Sequence, residues 1–133
     1  MALPKRHRLR GHRAIDHLHR LGRRHHSAHL LLRVVQADPA LLPVPDRRAC
    51  PSPWRCALVI SAKVHKRAVV RNRLRRLLHR HLLASLPLPV AVRPTPPSPL
   101  WLMVSLRPGS AELEVDQLLG ECTTLLRRVG LLP

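Results

Sequence analysis

Aromatic side chains are nearly missing from this 133-residue chain, which has no Phe, no Tyr and two Trp. Little ring surface remains on which unpaired bases could stack. Acids are almost as scarce, seven Asp and Glu against 24 Lys and Arg, and no paired carboxylates stand at a spacing that general acid–base chemistry would use. Glycine occurs five times, and never as a Gly-rich phosphate loop. The three cysteines are odd in number, and the separation of Cys50 from Cys56 does not match zinc-ligand spacing, so buried free thiols are expected. No run of about 18 apolar residues exists, and the first eight residues lack the apolar segment of a signal peptide. A cytoplasmic protein without membrane contact is the expectation. Ten histidines are present, but His25-His26 and His17-x-His19 have no thiol or carboxylate cluster to complete a coordination sphere. No Ser-His-Asp pattern accompanies them. Neither a metal ligand nor a catalytic side chain is assigned, and the polypeptide does not read as a self-sufficient catalyst.

What the chain has is positive charge, formally +17 before any histidine is counted. The charge is unevenly laid out. Thirteen Lys or Arg and no acid fall between Arg47 and Ala111, whereas four of the seven acids fall between Glu112 and Glu121. Such a middle attracts nucleic acid by counterion release. With 45% hydrophobic residues the chain can also bury a modest core, so it is expected to fold as one domain over residues 1–133 rather than remain a basic tail.

The charge is most organised between Lys66 and Arg80. At helical spacing Val70, Leu74, Leu77, Leu78, His81 and Leu82 fall on one side, and Asn72, Arg73, Arg75, Arg76, His79 and Arg80 on the other. Solvated helix faces normally mix signs. Here no acid interrupts the run, so the arginines cannot be neutralised within the helix and an anionic partner must offset their repulsion. Arginine's planar fork suits phosphate, and the Asn72 amide can donate to phosphate and accept from a ribose 2′-hydroxyl.

Along the chain, residues 1–13 read as a basic arm. Ala14, Ile15, Leu18 and Leu21 predict a short helix capped by Gly22. Arg23 to Ser27 reads as a turn and His29 to Gln36 as a strand. Prolines mark exposed loops near 37–54 and 87–99. Between them come a strand over Arg55 to Ser61 and the cationic helix at about 67–85. A strand over Leu100 to Leu106 follows, then a helix beginning near Glu112 to Val115 with Arg127-Arg128 at its end, in accord with the helix dipole. Val115, Leu118, Leu119, Cys122, Leu125, Leu126 and Val129 form its predicted buried face. The order is helix, strand, strand, helix, strand, helix, with any extra strand expected around the first Pro-rich loop. A small α+β sandwich is implied.

Arg55-Cys-Ala-Leu-Val-Ile-Ser-Ala-Lys63, then Lys66-Arg67-Ala68, then Arg71-Asn72-Arg73-Leu74-Arg75-Arg76-Leu77 resembles the protein subunit of bacterial ribonuclease P. The likeness extends more loosely over Arg8-Leu9, the Ile15 helix ending in Gly22, and Arg107-Pro108. The resemblance implies an αβββαβα fold with a left-handed βαβ crossover. It also implies a role as cofactor of a catalytic RNA that uses magnesium, held mainly by the RNA, to remove the 5′ leader of precursor tRNA. Ribonuclease P RNA and precursor tRNA would be the partners, with no obligate protein partner. Lys63, Lys66, Arg67, Arg71, Asn72, Arg73, Arg75, Arg76 and Arg80 would contact RNA. A cleft between the sheet and the first helix, formed by Ile15, His19, Leu58 and Ile60, would receive the leader. Family members usually carry aromatics in the first helix and first strand where this chain has Ile15, His19 and Leu30 to Leu32. Stacking would then fall to His19, Trp54 or Trp101. Gly and a Lys pair are usual where Ala57 and Ala62-Lys63 stand, which implies a narrower cleft with one charge fewer. The alternative is a structural RNA-binding protein such as a ribosomal protein.

Overall fold

The computed structural model describes residues 7–43, 54–86 and 100–131. Cys50 and most of both Pro-rich segments lie outside them. The elements are α1 (His12–Leu21), β1 (Arg23–His26), β2 (Leu30–Gln36), β3 (Trp54–Val59), α2 (Ala68–Ser85), β4 (Leu100–Leu106) and α3 (Val115–Arg128). The strands form one mixed sheet in the order β1-β2-β4-β3. β1 and β2 pair antiparallel, as do β2 and β4, whereas β3 and β4 are parallel and joined through α2. The α+β fold and αβββαβα order agree with expectation.

Two corrections concern the first half. Among the described residues the extra strand is at Arg23–His26, the segment read as a turn. Its Arg-Arg-His-His sequence has no apolar alternation, and its pairing with Val34 to Leu31 of β2 supplies what propensity does not. Gly22 does cap α1, but with an extended φ of −68°. Glycine is needed there for room: a Cβ would lie 2.5 Å from the Leu18 carbonyl oxygen and 3.3 Å from Arg33 Cβ. Gly130, like Gly11 and Gly109, has a positive φ, at +79°. It lets the Leu131 N–H reach the Leu126 carbonyl at 3.0 Å and close the end of α3.

Strand alternation divides the core in two. Leu30, Leu32, Trp54, Cys56, Leu102, Val104 and Leu106 point to one face, against Leu74, Leu78 and Leu82 of α2 and Leu118, Cys122, Leu125 and Leu126 of α3. Trp101 and Met103 point to the other, against Ala14 and Leu18 of α1 and Leu9 and Leu42. Cys56 and Cys122 are free buried thiols. Burial pushes the Cys56 thiol far up, with a further push from Cys122, and raises Cys122 to about 12. Both Trp residues are core, as their 3% and 1% exposures show, so neither offers a stacking platform. Val115 is the exception on the predicted face of α3, 39% exposed at the start of the helix.

The described part of the basic arm is held against β3. Leu9 N–H donates to the Cys56 carbonyl at 3.0 Å, Arg55 Nη1 donates to the Arg8 carbonyl at 2.9 Å, and the His7 ring stacks on Trp54 at 4.0 Å. This contact covers the β3 edge of the sheet.

The hairpin between β1 and β2 is fastened to α3 by one carboxylate. Glu121 accepts from the His29 backbone N–H at 3.1 Å and from its Nδ1 at 2.8 Å. Burial pushes the Glu121 carboxyl up, but hydrogen bonds from Ser27 and His29 outweigh it and the net shift is downward. A depressed carboxylate contributes stability above its unfolded value that is lost as pH falls through the folded one. Glu121→Gln is therefore expected to cost about 1 kcal/mol at neutral pH, and to make little difference once acid has protonated the native carboxyl. Urea titrations of both proteins at neutral and acidic pH check this.

Candidate nucleic-acid interface

The connection from β3 into α2 is built as a rigid ledge. Ile60 and Val64 are buried, and the Val64 N–H closes a turn on the Ser61 carbonyl at 3.0 Å. Arg71 reaches back from the first turn of α2, donating through Nη1 to the carbonyls of His65 at 2.8 Å and Lys66 at 2.9 Å. The Arg67 N–H donates to His65 Nδ1 at 3.1 Å. Lys63, Lys66 and Arg67 stand exposed on this ledge. They surround a helix start that has no acid in its first turn and no side-chain cap, so the positive end of the helix dipole adds to their charge.

Along α2 the apolar stripe is Leu74, Leu78 and Leu82, with Leu77 and Val70 half-buried at one flank. Asn72, Arg73, Arg76 and Arg80 are exposed on the opposite side with Val69, which is 70% exposed. Arg73, Arg76 and Arg80 meet no carboxylate among the described residues. Arg75 is half-buried and donates to Asn72 Oδ1 at 3.0 Å, so the Asn72 amide oxygen already has a partner.

Two residues sit elsewhere than expected, Arg71 from the resemblance and His79 from helical periodicity. Arg71 is turned inward onto the ledge, because the loop carbonyls it binds would otherwise lack donors. His79 is half-buried rather than outward, because the stripe centred on Leu78 rolls the helix toward that flank. Burial lowers its pKa to about 4, helped by the Arg75 and Arg8 guanidiniums. His81 faces α3, where Thr123 donates to the Leu119 carbonyl and so accepts from His81 Nε2 at 2.8 Å. Burial lowers the His81 pKa as well.

Ile15, His19, Leu58 and Ile60 do not line one cleft. Ile15 packs with the α1-side core and His19 is exposed on α1. Leu58 and Ile60 belong to the opposite core, under α2 and α3. Strand parity is the reason: Trp54, Cys56 and Leu58 share a face, leaving Arg55, Ala57 and Val59 for the α1 side. Among the described residues α1 is the helix on that side, and beyond it the sheet leaves a partly exposed trough. Its floor runs from Leu31 and Arg33 of β2 through Ser105 of β4 to Ala57 and Val59 of β3, and Val59 is 42% exposed. The sequence of β3 conceals this, being apolar at nearly every position.

A family profile described as Ribonuclease P matches residues 3–130. The "Ribonuclease P protein component" of Parasynechococcus marenigrum (strain WH8102) is 52% identical over 133 residues, covering 98% of each chain. That of Prochlorococcus marinus (strain MIT 9313) is 46% identical over 132 residues, covering 99% of each. Among solved structures, the RNase P protein of Staphylococcus aureus superposes with a TM-score of 0.71 at 12% identity, covering 96% of this chain and 98% of that one. The Thermotoga maritima protein gives 0.65 at 16%, covering 91% and 96%. At such identities the two structures speak for the fold.

His79 supplies a pH signature. A histidine whose folded pKa lies below its unfolded value of 6.5 stabilises the native state above 6.5, and that contribution disappears as pH falls toward about 4. Stability is expected to decline through this window in the wild type. In His79→Gln the decline is shallower, as thermal unfolding measured between pH 4 and 7 will show.

Proposed function

The chain belongs to the ribonuclease P protein family and is the protein component of that ribonucleoprotein endonuclease, and from this premise we propose which of its surfaces serve the RNA. The catalytic RNA and precursor tRNA are its partners, and cleavage belongs to the RNA. The alternative of a structural protein such as a ribosomal protein is displaced by the family match.

In the proposed assignment, the exposed arc of Arg73, Arg76 and Arg80, with Asn72, Arg75, Lys63, Lys66 and Arg67, holds phosphates of the catalytic RNA. The single observation that carries it is a row of guanidiniums fixed outward by a buried leucine stripe and meeting no described carboxylate. Arg71 serves the same surface indirectly, by holding the ledge on which Lys63, Lys66 and Arg67 stand. The trough beside α1 receives the 5′ leader, with Ile15 and His19 as its wall and Leu31, Arg33, Ser105, Ala57 and Val59 as its floor. This floor replaces Leu58 and Ile60. Both Trp are buried, so the exposed rings left on α1 are imidazoles such as His19, and backbone charge outweighs stacking.

The protein's chemical contribution is to bind and to neutralise. Cations fixed between two RNA molecules lower their mutual repulsion, which raises substrate affinity and favours retention of magnesium by the RNA. The exposed arc of α2 is Asn and Arg, and no group of three or more His, Cys, Asp or Glu among the described residues could hold a metal, so this surface does not fit magnesium as a direct site. The ion's ligands in this proposal are RNA oxygens. A cytoplasmic setting goes with the partners; no described helix is long and apolar enough to cross a membrane.

Arg73→Ala/Arg76→Ala/Arg80→Ala tests the α2 face. Mixed with ribonuclease P RNA at low magnesium, the wild-type protein should restore precursor tRNA cleavage. The triple variant should require far more protein to do so, and its RNA-binding salt slope should be shallower by roughly 2. Its melting temperature should change little. Arg71→Ala should instead lose both RNA affinity and about 1–2 kcal/mol of stability, because two loop carbonyls lose their donor. A triple variant with wild-type affinity at moderate salt would remove the assignment.

A further inference from the structure

A second cationic surface lies at the β1 edge of the sheet. β3 is covered along its edge by the arm segment His7–Arg10, through the Arg8 to Cys56 bridge. β1, at the opposite edge, has no covering strand among the described residues. An uncovered edge presents unpaired backbone groups and invites another strand unless charge prevents it. Here the four residues of the strand are Arg23, Arg24, His25 and His26.

Their placement is not that of a merely solvated edge. Arg23 and His25 stand opposite Val34 and Leu32 and share the α3 side of the sheet, whereas Arg24 stands directly opposite Arg33 on the other side. Like charges directly opposite destabilise a strand pair. On the α3 side the rim continues into Arg127 and Arg128 at the end of the helix, and Arg128 Nη1 donates to the His26 carbonyl at 2.9 Å. Arg107 donates to His26 Nδ1 at 2.6 Å. Among the described residues no acid balances the group. Glu121, the acid one face-repeat back along α3, is held by His29, and Arg23, Arg24 and Arg127 meet no carboxylate among the described residues. Beside the rim, Leu21, Val34, Leu100 and Val129 line a shallow hollow with Arg23, His25, Gln36 and Arg128 at its mouth.

We propose that the β1 edge together with the C-terminal end of α3 is a second docking surface for the catalytic RNA, engaging a phosphodiester backbone other than the one on α2. This rests on the family assignment and on α2 as the first RNA surface. The arginines project to both sides of one exposed strand, so they straddle a protruding ridge rather than enclose an extended single strand. A folded RNA's duplex ridge has that shape, whereas the leader is single-stranded. With α2 on one sheet face and the rim at the β1 edge, the protein holds two RNA segments at a separation set by the folded core. A second copy of this chain, pairing edge to edge, would bring two such rims together and is disfavoured by repulsion.

The test uses full-length protein and ribonuclease P RNA. Arg23→Ala/Arg24→Ala/Arg127→Ala leaves Arg128 and Arg107, which make internal hydrogen bonds, in place. Its affinity for the RNA should drop on the order of tenfold at low salt and its salt slope should be shallower by roughly 2. Iron-EDTA tethered at His25→Cys, in a Cys50→Ser background, should cut the RNA at positions different from those cut by a tether at Asn72→Cys. Unchanged affinity in the rim variant, or cuts from position 25 that are absent or coincide with those from position 72, overturns the proposal. Arg73→Ala/Arg76→Ala/Arg80→Ala runs in parallel. If it weakens binding and the rim variant does not, the second surface alone falls; if neither weakens binding, the α2 assignment falls too. Sedimentation of the free protein covers the remaining occupant: dimers abolished by the rim substitutions would assign the edge to a second copy and overturn RNA docking.

Discussion

Burial of Leu74, Leu78 and Leu82 against the sheet is the constraint on which the rest depends. Each fully buried leucine contributes about 2 kcal/mol of transfer free energy, and together they leave α2 one way to lie. The opposite side of the same helix must then face solvent, and that side is Asn72, Arg73, Arg76 and Arg80. Their mutual repulsion is a standing cost that the apolar contact offsets in the free protein and RNA relieves in the complex. Binding strength is thereby linked to core packing, since a loosened stripe would let the arginines turn away from a common face.

The arginines divide into two populations. Arg55, Arg71, Arg107 and Arg128 spend donors on the protein itself, on the Arg8 carbonyl, the ledge carbonyls, the His26 ring and the His26 carbonyl. Each reaches a group far in sequence or at an element's end, where a long forked donor can satisfy a carbonyl that secondary structure leaves open. Arg23, Arg24, Arg73, Arg76, Arg80 and Arg127 have no such internal use among the described residues. A chain with so few acids cannot balance them, so the surplus marks where a polyanion belongs.

The open trough beside α1 follows from an asymmetry of layers. Among the described residues two helices cover one side of the sheet, while a single ten-residue helix covers part of the other. Gly22 permits that helix to end hard against Arg33, and Leu31, Ser105 and Val59 are not part of the core that α1 covers. What remains is a sheet surface walled on one side and low in aromatic rings, suited to a strand recognised through its backbone more than its bases.

Periodicity and charge were enough to locate α2, its leucine stripe and most of its outward arc, because those features repeat within one element and need no neighbour to define them. The Arg71-Asn72-Arg73 pattern likewise identified the family. β1 was invisible, since Arg23 to His26 becomes a strand only when β2 offers its register. The floor of the trough was misread, because a strand apolar on both faces does not disclose which parity meets α1. Arg71 was placed on the RNA face by the resemblance and His79 on the outward arc by angle; two loop carbonyls and burial beside the leucine stripe decided otherwise. Sequence determined the local amphipathic signs, which depend on covalent spacing. Tertiary structure decided which charges remain unspent, because a hydrogen bond or a desolvation penalty exists only once distant segments have met.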